Sequence, residues 1–181
     1  MKTIIAPTDF SPNSENAVLY AADMALQFDA KLCLLHVYSI PIPVSEAPVP
    51  AIDARQMEKD ALEQLEKIKA KLISRTNGKL MVETQLRSGN VNWEIEVFSK
   101  ETKPYAVVMG AESNGPLERV LFGGKTLRAI SKMEWPILVI PPGAGFKSVS
   151  RIGLACDFRN VIDTIPVQEI KDIVKAFNAE L

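Results

Sequence analysis

Glycines surround a segment of this chain that could hold a phosphate group. Gly110 follows the apolar run Tyr105–Met109, and Gly123-Gly124 stands before a helical pattern. Glycine lets backbone N–H groups approach an anion closely, and a helix N-terminus adds partial positive charge. Lys125 and Thr126 follow directly and offer a positive charge and a hydroxyl. The segment therefore predicts a phosphate-binding loop.

The same residues do not predict a hydrolytic enzyme. The phosphate loop of nucleotide hydrolases has a glycine five residues before its Gly-Lys pair, directly after a strand, and here that position is Arg119. His36 is the only histidine, so the sequence predicts neither a metal-ligand cluster nor a Ser-His-Asp assembly. We therefore expect no enzyme with rapid turnover.

A second group of polar residues follows the first apolar run. Pro7, Thr8 and Asp9 end that run, and Ser11-Pro12 begins a helical pattern. Asp9 can accept hydrogen bonds from a ribose hydroxyl or an adenine amino group, or it can cap the turn before the helix. Ligands of open parallel sheets bind beyond the carboxyl ends of the strands. Asp9 faces the glycine segment if the first and fourth strands are neighbours.

Alternating strand and helix patterns must position both groups. The predicted strands are Thr3–Thr8, Lys31–Val37, Lys79–Leu86, Tyr105–Met109 and Pro136–Ile140. The predicted helices follow Ser11, cover 54–74 and 92–103, and follow Gly123. Strict alternation predicts an α/β fold, an open five-stranded parallel sheet with helices on both faces.

The C-terminal residues repeat the N-terminal ones. Ile152–Phe158 resembles Ile4–Phe10, and Phe177–Leu181 resembles Phe28–Leu32, with the helical pattern Val167–Phe177 between them. We predict a first domain over 1–142, a linker over 143–150 and an incomplete second copy, a strand and a helix, over 151–181. One strand and one helix cannot bury their own apolar faces, so we expect this piece to dock on the first domain or on another chain.

Composition limits the partners. Lys and Arg number 21 against 22 Asp and Glu, so no basic surface predicts binding to nucleic acid or to a membrane. No apolar run is long enough to span a bilayer. Cys33 and Cys156 lie in apolar runs, which is typical of buried thiols in a reducing compartment. The sequence predicts a cytoplasmic protein.

Several motifs resemble those of the universal stress protein family over residues 1–141. They are Ile-Ala-Pro-Thr-Asp-Phe-Ser near the start, Leu-His-Val at 35–37, Gly89 to Ile95, Val-Val-Met-Gly at 107–110 and Trp-Pro-Ile-Leu-Val-Ile-Pro at 135–141. The family's nucleotide signature is Gly, two residues, Gly, nine residues, then Gly followed by Ser or Thr. Gly110 and Gly123 match this signature, whereas Ser113 and Gly124 depart from it.

The resemblance implies a Rossmann-like sheet with strand order 3-2-1-4-5. It also implies that Asp9 and Val37 flank the base of ATP or a related adenine nucleotide, accompanied by Mg²⁺, while the glycine segment holds ribose and phosphates. The predicted site residues are Pro7, Thr8, Asp9, Val37, Met109, Gly110, Ser113, Gly123, Gly124, Lys125 and Thr126. The last strand, Ile137–Ile140, is implied to pair with its counterpart in a homodimer, which the second domain replaces in tandem members.

The two departures leave a choice of functions. A serine forced to a positive φ and a lost hydroxyl would each cost on the order of 1 kcal/mol, which together weakens binding roughly tenfold to thirtyfold. We predict a stress-response regulatory protein that binds an adenine nucleotide. The alternative is a stress protein that binds no nucleotide and acts through dimerisation and protein partners.

Overall fold

A computed structural model describes residues 1–39, 54–111, 134–147, 149–155 and 167–181. The chain divides into two compact units, Met1–Phe146 and Lys147–Leu181. The helix predicted after Gly123 lies outside the described residues.

The first unit contains one five-stranded parallel sheet. Its strands are β1 (Thr3–Pro7), β2 (Lys31–Tyr38), β3 (Val82–Ser88), β4 (Ala106–Gly110) and β5 (Ile137–Ile140). They lie in the order β3-β2-β1-β4-β5, and every neighbouring pair is parallel. The predicted strand order, with the first and fourth strands adjacent, is confirmed.

Three helices of this unit are described, α1 (Pro12–Gln27), α2 (Ala54–Arg75) and α3 (Val91–Thr102). Ser11 caps α1, and its hydroxyl accepts a hydrogen bond from the Ser14 N–H. Asn90 caps α3 in the same way through the Trp93 N–H. The caps satisfy N–H groups that have no partner inside the helix, which is why the helices begin at these residues.

Apolar side chains fill both faces of the sheet. One buried cluster under α3 contains Ile5, Cys33, Leu35, Val37, Ile95 and Val107. Ile4, Leu32 and Leu34 alternate with these residues along β1 and β2, and they are fully buried on the opposite face, where α1 and α2 pack. Burial on both faces explains why the strands are continuous apolar runs.

The third strand begins later than the sequence predicts. Residues 79–81 connect α2 to β3. Gly78 donates to the Ile73 carbonyl and Lys79 to the Thr76 carbonyl in the turn that ends α2, and the Met81 carbonyl accepts a bond from Leu32 of β2 just before β3 begins. Gly78 has φ +72°, a conformation in which glycine is favoured. β3 therefore begins at Val82, three residues later than the apolar pattern predicts.

The second unit contains α4 (Val167–Phe177) and a single parallel bridge between Arg151 and Glu180. Residues 152–155 form no strand, although the sequence predicts one there. The bridge repeats a bond of the first unit. Glu180 donates to the Ser150 carbonyl at 2.9 Å, and at the corresponding position Lys31 donates to the Lys2 carbonyl at 3.0 Å.

The residues after the two corresponding helices also agree in conformation. Asn178 follows Phe177 with φ 51°, and Asp29 follows Phe28 with φ 48°. The sequence repeat is thus matched by a repeat of local structure. The prediction that residues 151–181 begin a second copy of the fold is supported by this agreement and stays a prediction.

Candidate functional site

The carboxyl ends of β1 and β4 lie side by side, where the strand order reverses. Ile4 and Ile5 of β1 pair with Ala106 and Val107 of β4, and Pro7 pairs with Leu35 of β2. In open parallel sheets, the point where the strand order reverses forms a crevice beyond the carboxyl ends of the strands. The predicted site residues Pro7, Thr8, Asp9, Val37, Met109 and Gly110 all lie at this end of the sheet.

Hydroxyl groups fix the turn between β1 and α1. The Thr8 and Ser14 hydroxyls are 3.0 Å apart and buried, and the Ser14 hydroxyl also donates to the Ser11 carbonyl at 3.0 Å. The Phe10 N–H donates to the Thr8 hydroxyl at 3.1 Å. The Thr8 hydroxyl is therefore occupied by hydrogen bonds within the turn.

Asp9 completes this turn and also reaches solvent. Its Oδ1 accepts a hydrogen bond from the Ser11 N–H at 3.1 Å, which is the capping role that the sequence allowed. Partial burial raises the pKa of the Asp9 carboxyl, but hydrogen bonds from the Ser11 and Ser14 side chains and the Ser11 main chain outweigh it, so the pKa is lowered. The side chain is exposed and ionised at neutral pH, so it remains available to accept further hydrogen bonds.

Phe10 adopts a left-handed conformation, with φ 65°. A bulky residue in this region costs about 1–2 kcal/mol, and such strain persists only where neighbouring contacts hold it. Its ring stacks on the His36 imidazole, with centroids 4.2 Å apart and planes inclined by 30°. His36 Nδ1 lies 2.7 Å from the Thr8 carbonyl oxygen, and since a carbonyl only accepts, Nδ1 carries the hydrogen.

Val37 offers its main chain rather than its side chain. Its side chain belongs to the buried cluster under α3 and is only 9% exposed. The Thr8 N–H donates to the Leu35 carbonyl, so the polar groups of Leu35, and of Val37 two residues later, point towards β1. β1 has ended there, and no described residue pairs with the Val37 N–H or C=O on this side.

Gly110 is explained by packing before any ligand is considered. A Cβ atom at this position would lie 2.6 Å from the Asn13 carbonyl oxygen, which is too close for any side chain. The end of β4 therefore rests directly against the first turn of α1, beside Ser14, and Met109 and Gly110 are half-buried. Because Gly110 has no side chain, the end of β4 can lie against α1 at the crevice.

The remaining predicted site residues, Ser113, Gly123, Gly124, Lys125 and Thr126, lie outside the described residues. The structure therefore describes the base side of the predicted site and the start of its phosphate side.

Two other side chains of β2 and β3 could be reactive, but Arg87 is engaged in ion pairs and Cys33 is buried. Arg87 pairs in register with Val37, but its guanidinium bonds to Glu101, lies 3.6 Å from Glu94 and stacks on Phe98. Burial raises the pKa of the Cys33 thiol to about 11, so the thiol is protonated and unreactive at neutral pH. Among the described residues, no group of three His, Cys, Asp or Glu side chains could hold a metal ion.

Sequence reasoning missed the partnership of His36 with Phe10 and the role of Ser14. A single histidine in an apolar strand is typical of a core residue, so nothing in its neighbours indicated a contact with the β1 turn. Ser14 carried a weak signal, because a serine three residues after the capping Ser11 lies where side chains bond back to the cap.

The strand order and the crevice at the carboxyl edge of the sheet define a Rossmann-like α/β protein. The model of the universal stress protein family matches residues 1–141. This chain belongs to the universal stress protein family, as its motifs predicted.

Two relatives show how far the likeness extends. A universal stress protein of Methanocaldococcus jannaschii is 29% identical over 142 residues, which are 77% of this chain and 81% of the relative. A universal stress protein of Mycolicibacterium smegmatis is 30% identical over 142 residues, 76% of this chain but only 47% of the relative. The chain thus spans about half the length of the mycobacterial protein.

Solved structures agree with the fold. A universal stress protein in complex with cAMP has a TM-score of 0.60 and 20% identity, and the match covers 78% of this chain and 98% of that one. The universal stress protein of Archaeoglobus fulgidus in complex with dAMP has a TM-score of 0.54 and 21% identity, with 77% and 96% covered. At these identities the likeness establishes the fold alone. In the part of the chain that the structure describes, no helix is long and apolar enough to cross a membrane.

Proposed function

We propose that this universal stress protein is a stress-response regulatory protein that binds ATP or a related adenine nucleotide at the crevice between β1 and β4, without appreciable turnover. The observation that carries the proposal is the main chain of Val37, whose N–H and C=O point into the crevice and bond to no described residue there. Asp9 lies in the adjoining turn with an exposed carboxylate.

The chemistry of adenine fits these groups. Its N1 atom accepts a hydrogen bond and its 6-amino group donates one on the same edge, which matches the adjacent N–H and C=O of Val37. The Asp9 carboxylate can accept from the ribose hydroxyls. Two structural neighbours were solved with cAMP and with dAMP, which are both adenine nucleotides.

The phosphates belong, in this proposal, to the glycine segment. Gly110 begins it, and Gly123, Gly124, Lys125 and Thr126 would supply backbone N–H groups, a positive charge and a hydroxyl. Mg²⁺ would enter with the phosphates. Cys33 is a free, buried thiol, which is typical of a reducing compartment and favours the cytoplasm as the location.

We also propose a homodimer through β5. β5 is the last strand in the sheet order, so no described strand covers its outer edge. Its residues Ile137–Val139 are apolar and only half-buried, and an apolar strand edge of this kind favours pairing with another strand.

Calorimetric titration with ATP, with ITP as the matched control ligand, tests the nucleotide site. ITP carries an oxygen in place of the 6-amino group and a hydrogen on N1. Its base therefore accepts at position 6 and donates at N1, the reverse of adenine, and does not match the N–H and C=O of Val37. We expect ATP to bind at least about tenfold more tightly than ITP. Asp9→Ala and Gly123→Val should each weaken ATP binding, and variants that bind like the parent would mean that the pocket lies elsewhere.

Absence of heat and of a thermal shift with millimolar ATP would support the second function. In that case the departures at Ser113 and Gly124 have removed the ligand, and the protein acts through dimerisation and protein partners. Turnover is tested separately by phosphate release. Steady release that scales with protein and vanishes in Lys125→Ala would show an ATP-hydrolysing enzyme instead.

A further inference from the structure

The ladder between β1 and β2 ends abruptly at the crevice. The Thr8 N–H still donates to the Leu35 carbonyl at 2.9 Å. In a regular parallel ladder the next bond would run from the Val37 N–H back to the Thr8 carbonyl oxygen. The structure has no such bond.

The His36 imidazole occupies that acceptor instead. Its Nδ1–H donates to the Thr8 carbonyl oxygen at 2.7 Å, a short and well-formed bond. His36 is half-buried on β2, one residue before Val37. The side chain thus takes the place that the neighbouring main-chain N–H would otherwise fill.

Phe10 holds the imidazole in this position. Its ring covers the imidazole face at 4.2 Å, and its left-handed φ of 65° turns the chain so that the ring reaches β2. Phe10 stacks on the imidazole and the Thr8 carbonyl accepts its hydrogen bond, and both residues belong to the same turn. Together they fix the ring plane and the tautomer of His36.

We propose that His36 is a positioning residue of the crevice. It binds the Thr8 carbonyl, ends the β1–β2 ladder and leaves the Val37 N–H and C=O unbonded to any described residue of β1 or its turn, so that they can bind the edge of a base. Only the identity of the base rests on the proposed function. The ladder-ending role stands on the protein's own hydrogen bonds.

A matched pair of variants separates the hydrogen bond from the ring. His36→Phe keeps an aromatic ring against Phe10 and removes the N–H donor. His36→Asn keeps a side-chain N–H donor and removes the ring. Circular dichroism and thermal unfolding of both variants establish that the fold is retained.

Amide hydrogen exchange of Val37, measured by NMR without ligand, tests the ladder directly. In the parent the Val37 amide should exchange faster than the Leu35 amide, because no described residue accepts a hydrogen bond from it. In His36→Phe it should slow by about tenfold or more as it bonds to the freed Thr8 carbonyl, whereas in His36→Asn it should stay fast. An unchanged Val37 rate in His36→Phe would overturn the inference.

Base discrimination provides the second readout, which a merely structural role would not move. His36→Phe should lose about tenfold in ATP affinity and most of its preference for ATP over ITP, while His36→Asn keeps that preference. Parent-like discrimination in His36→Phe contradicts the inference. If the parent binds neither nucleotide, the proposed function fails, and the Val37 exchange rates still decide the role of His36.

Discussion

At the scale of single residues, the crevice depends on close approaches that only certain side chains permit. Gly110 brings the end of β4 against the Asn13 carbonyl of α1. Asp9 bonds the turn that precedes α1 and keeps an exposed carboxylate. Both residues thus shape the crevice through packing and hydrogen bonding, whatever ligand it holds.

Gly110→Ala tests the close approach. Its Cβ atom would lie 2.6 Å from the Asn13 carbonyl oxygen, so main-chain atoms must shift. We expect the free energy of unfolding to fall by about 1–3 kcal/mol, measured by urea titration. Gly145→Ala is the control, since nothing lies within 4 Å of its added Cβ. Equal stabilities of the two variants would show that β4 and α1 can separate without cost.

Acid titration tests the bonds made by Asp9. Its pKa is lowered from 3.8 in the folded protein, so on acidification the unfolded chain takes up the proton first. The stability that Asp9 contributes is therefore complete above its unfolded pKa and is lost as the pH falls through its folded pKa. Asp9→Asn, which keeps an acceptor but cannot titrate, should show a shallower loss of stability below about pH 4. Parallel curves for parent and variant would mean that the turn does not favour the ionised form.

At the scale of elements, caps and turns decide where the helices begin and end. Ser11 and Asn90 cap α1 and α3 as their sequence positions indicate. Lys103 ends α3 in a left-handed conformation, with φ 48°, and its N–H bonds to the Ser99 carbonyl. Glycine is the residue best suited to this conformation, so the end of α3 carries strain.

Lys103→Gly should relieve that strain. We expect the free energy of unfolding to rise by about 0.5–1 kcal/mol, read from denaturant or thermal unfolding. Lys103→Ala removes the same exposed charge and keeps the strained backbone, so it should bring no gain. A gain of equal size in both variants would assign the effect to the lysine charge.

At the scale of the whole molecule, the outer edge of β5 controls assembly in our proposal. The Pro136 and Ile140 carbonyls accept bonds from β4, so by alternation the main-chain groups of Val139 point outward. Proline is tolerated at such a position because the lost N–H serves no bond within the sheet.

Val139→Pro should therefore keep the fold and abolish the proposed dimer, as measured by sedimentation equilibrium with circular dichroism on the same sample. Leu138→Pro, one residue earlier, removes an inward-facing N–H and should destabilise the sheet itself. A dimer that survives in folded Val139→Pro would place the interface on another surface.

The alternating apolar runs and caps of the sequence determined most of the fold. They predicted the five parallel strands and the helix starts, because burial on both faces of a sheet and helix capping depend on local residue patterns. The order of the strands came from the family motifs. The predicted start of β3 was three residues too early, because the apolar pattern continues back into the short connection between α2 and β3.

The sequence by itself also placed Asp9 and Gly110 at one edge, since residues that follow parallel strands meet there, and the family resemblance added Val37. Only the tertiary structure decided what each one does. Gly110 is required by the carbonyl of a helix that precedes it by many residues, the Val37 side chain is buried under α3, and His36 contacts Phe10 and Thr8 of the turn after β1. These roles arise from distances between segments remote in the chain, and no local pattern of residue types records such distances.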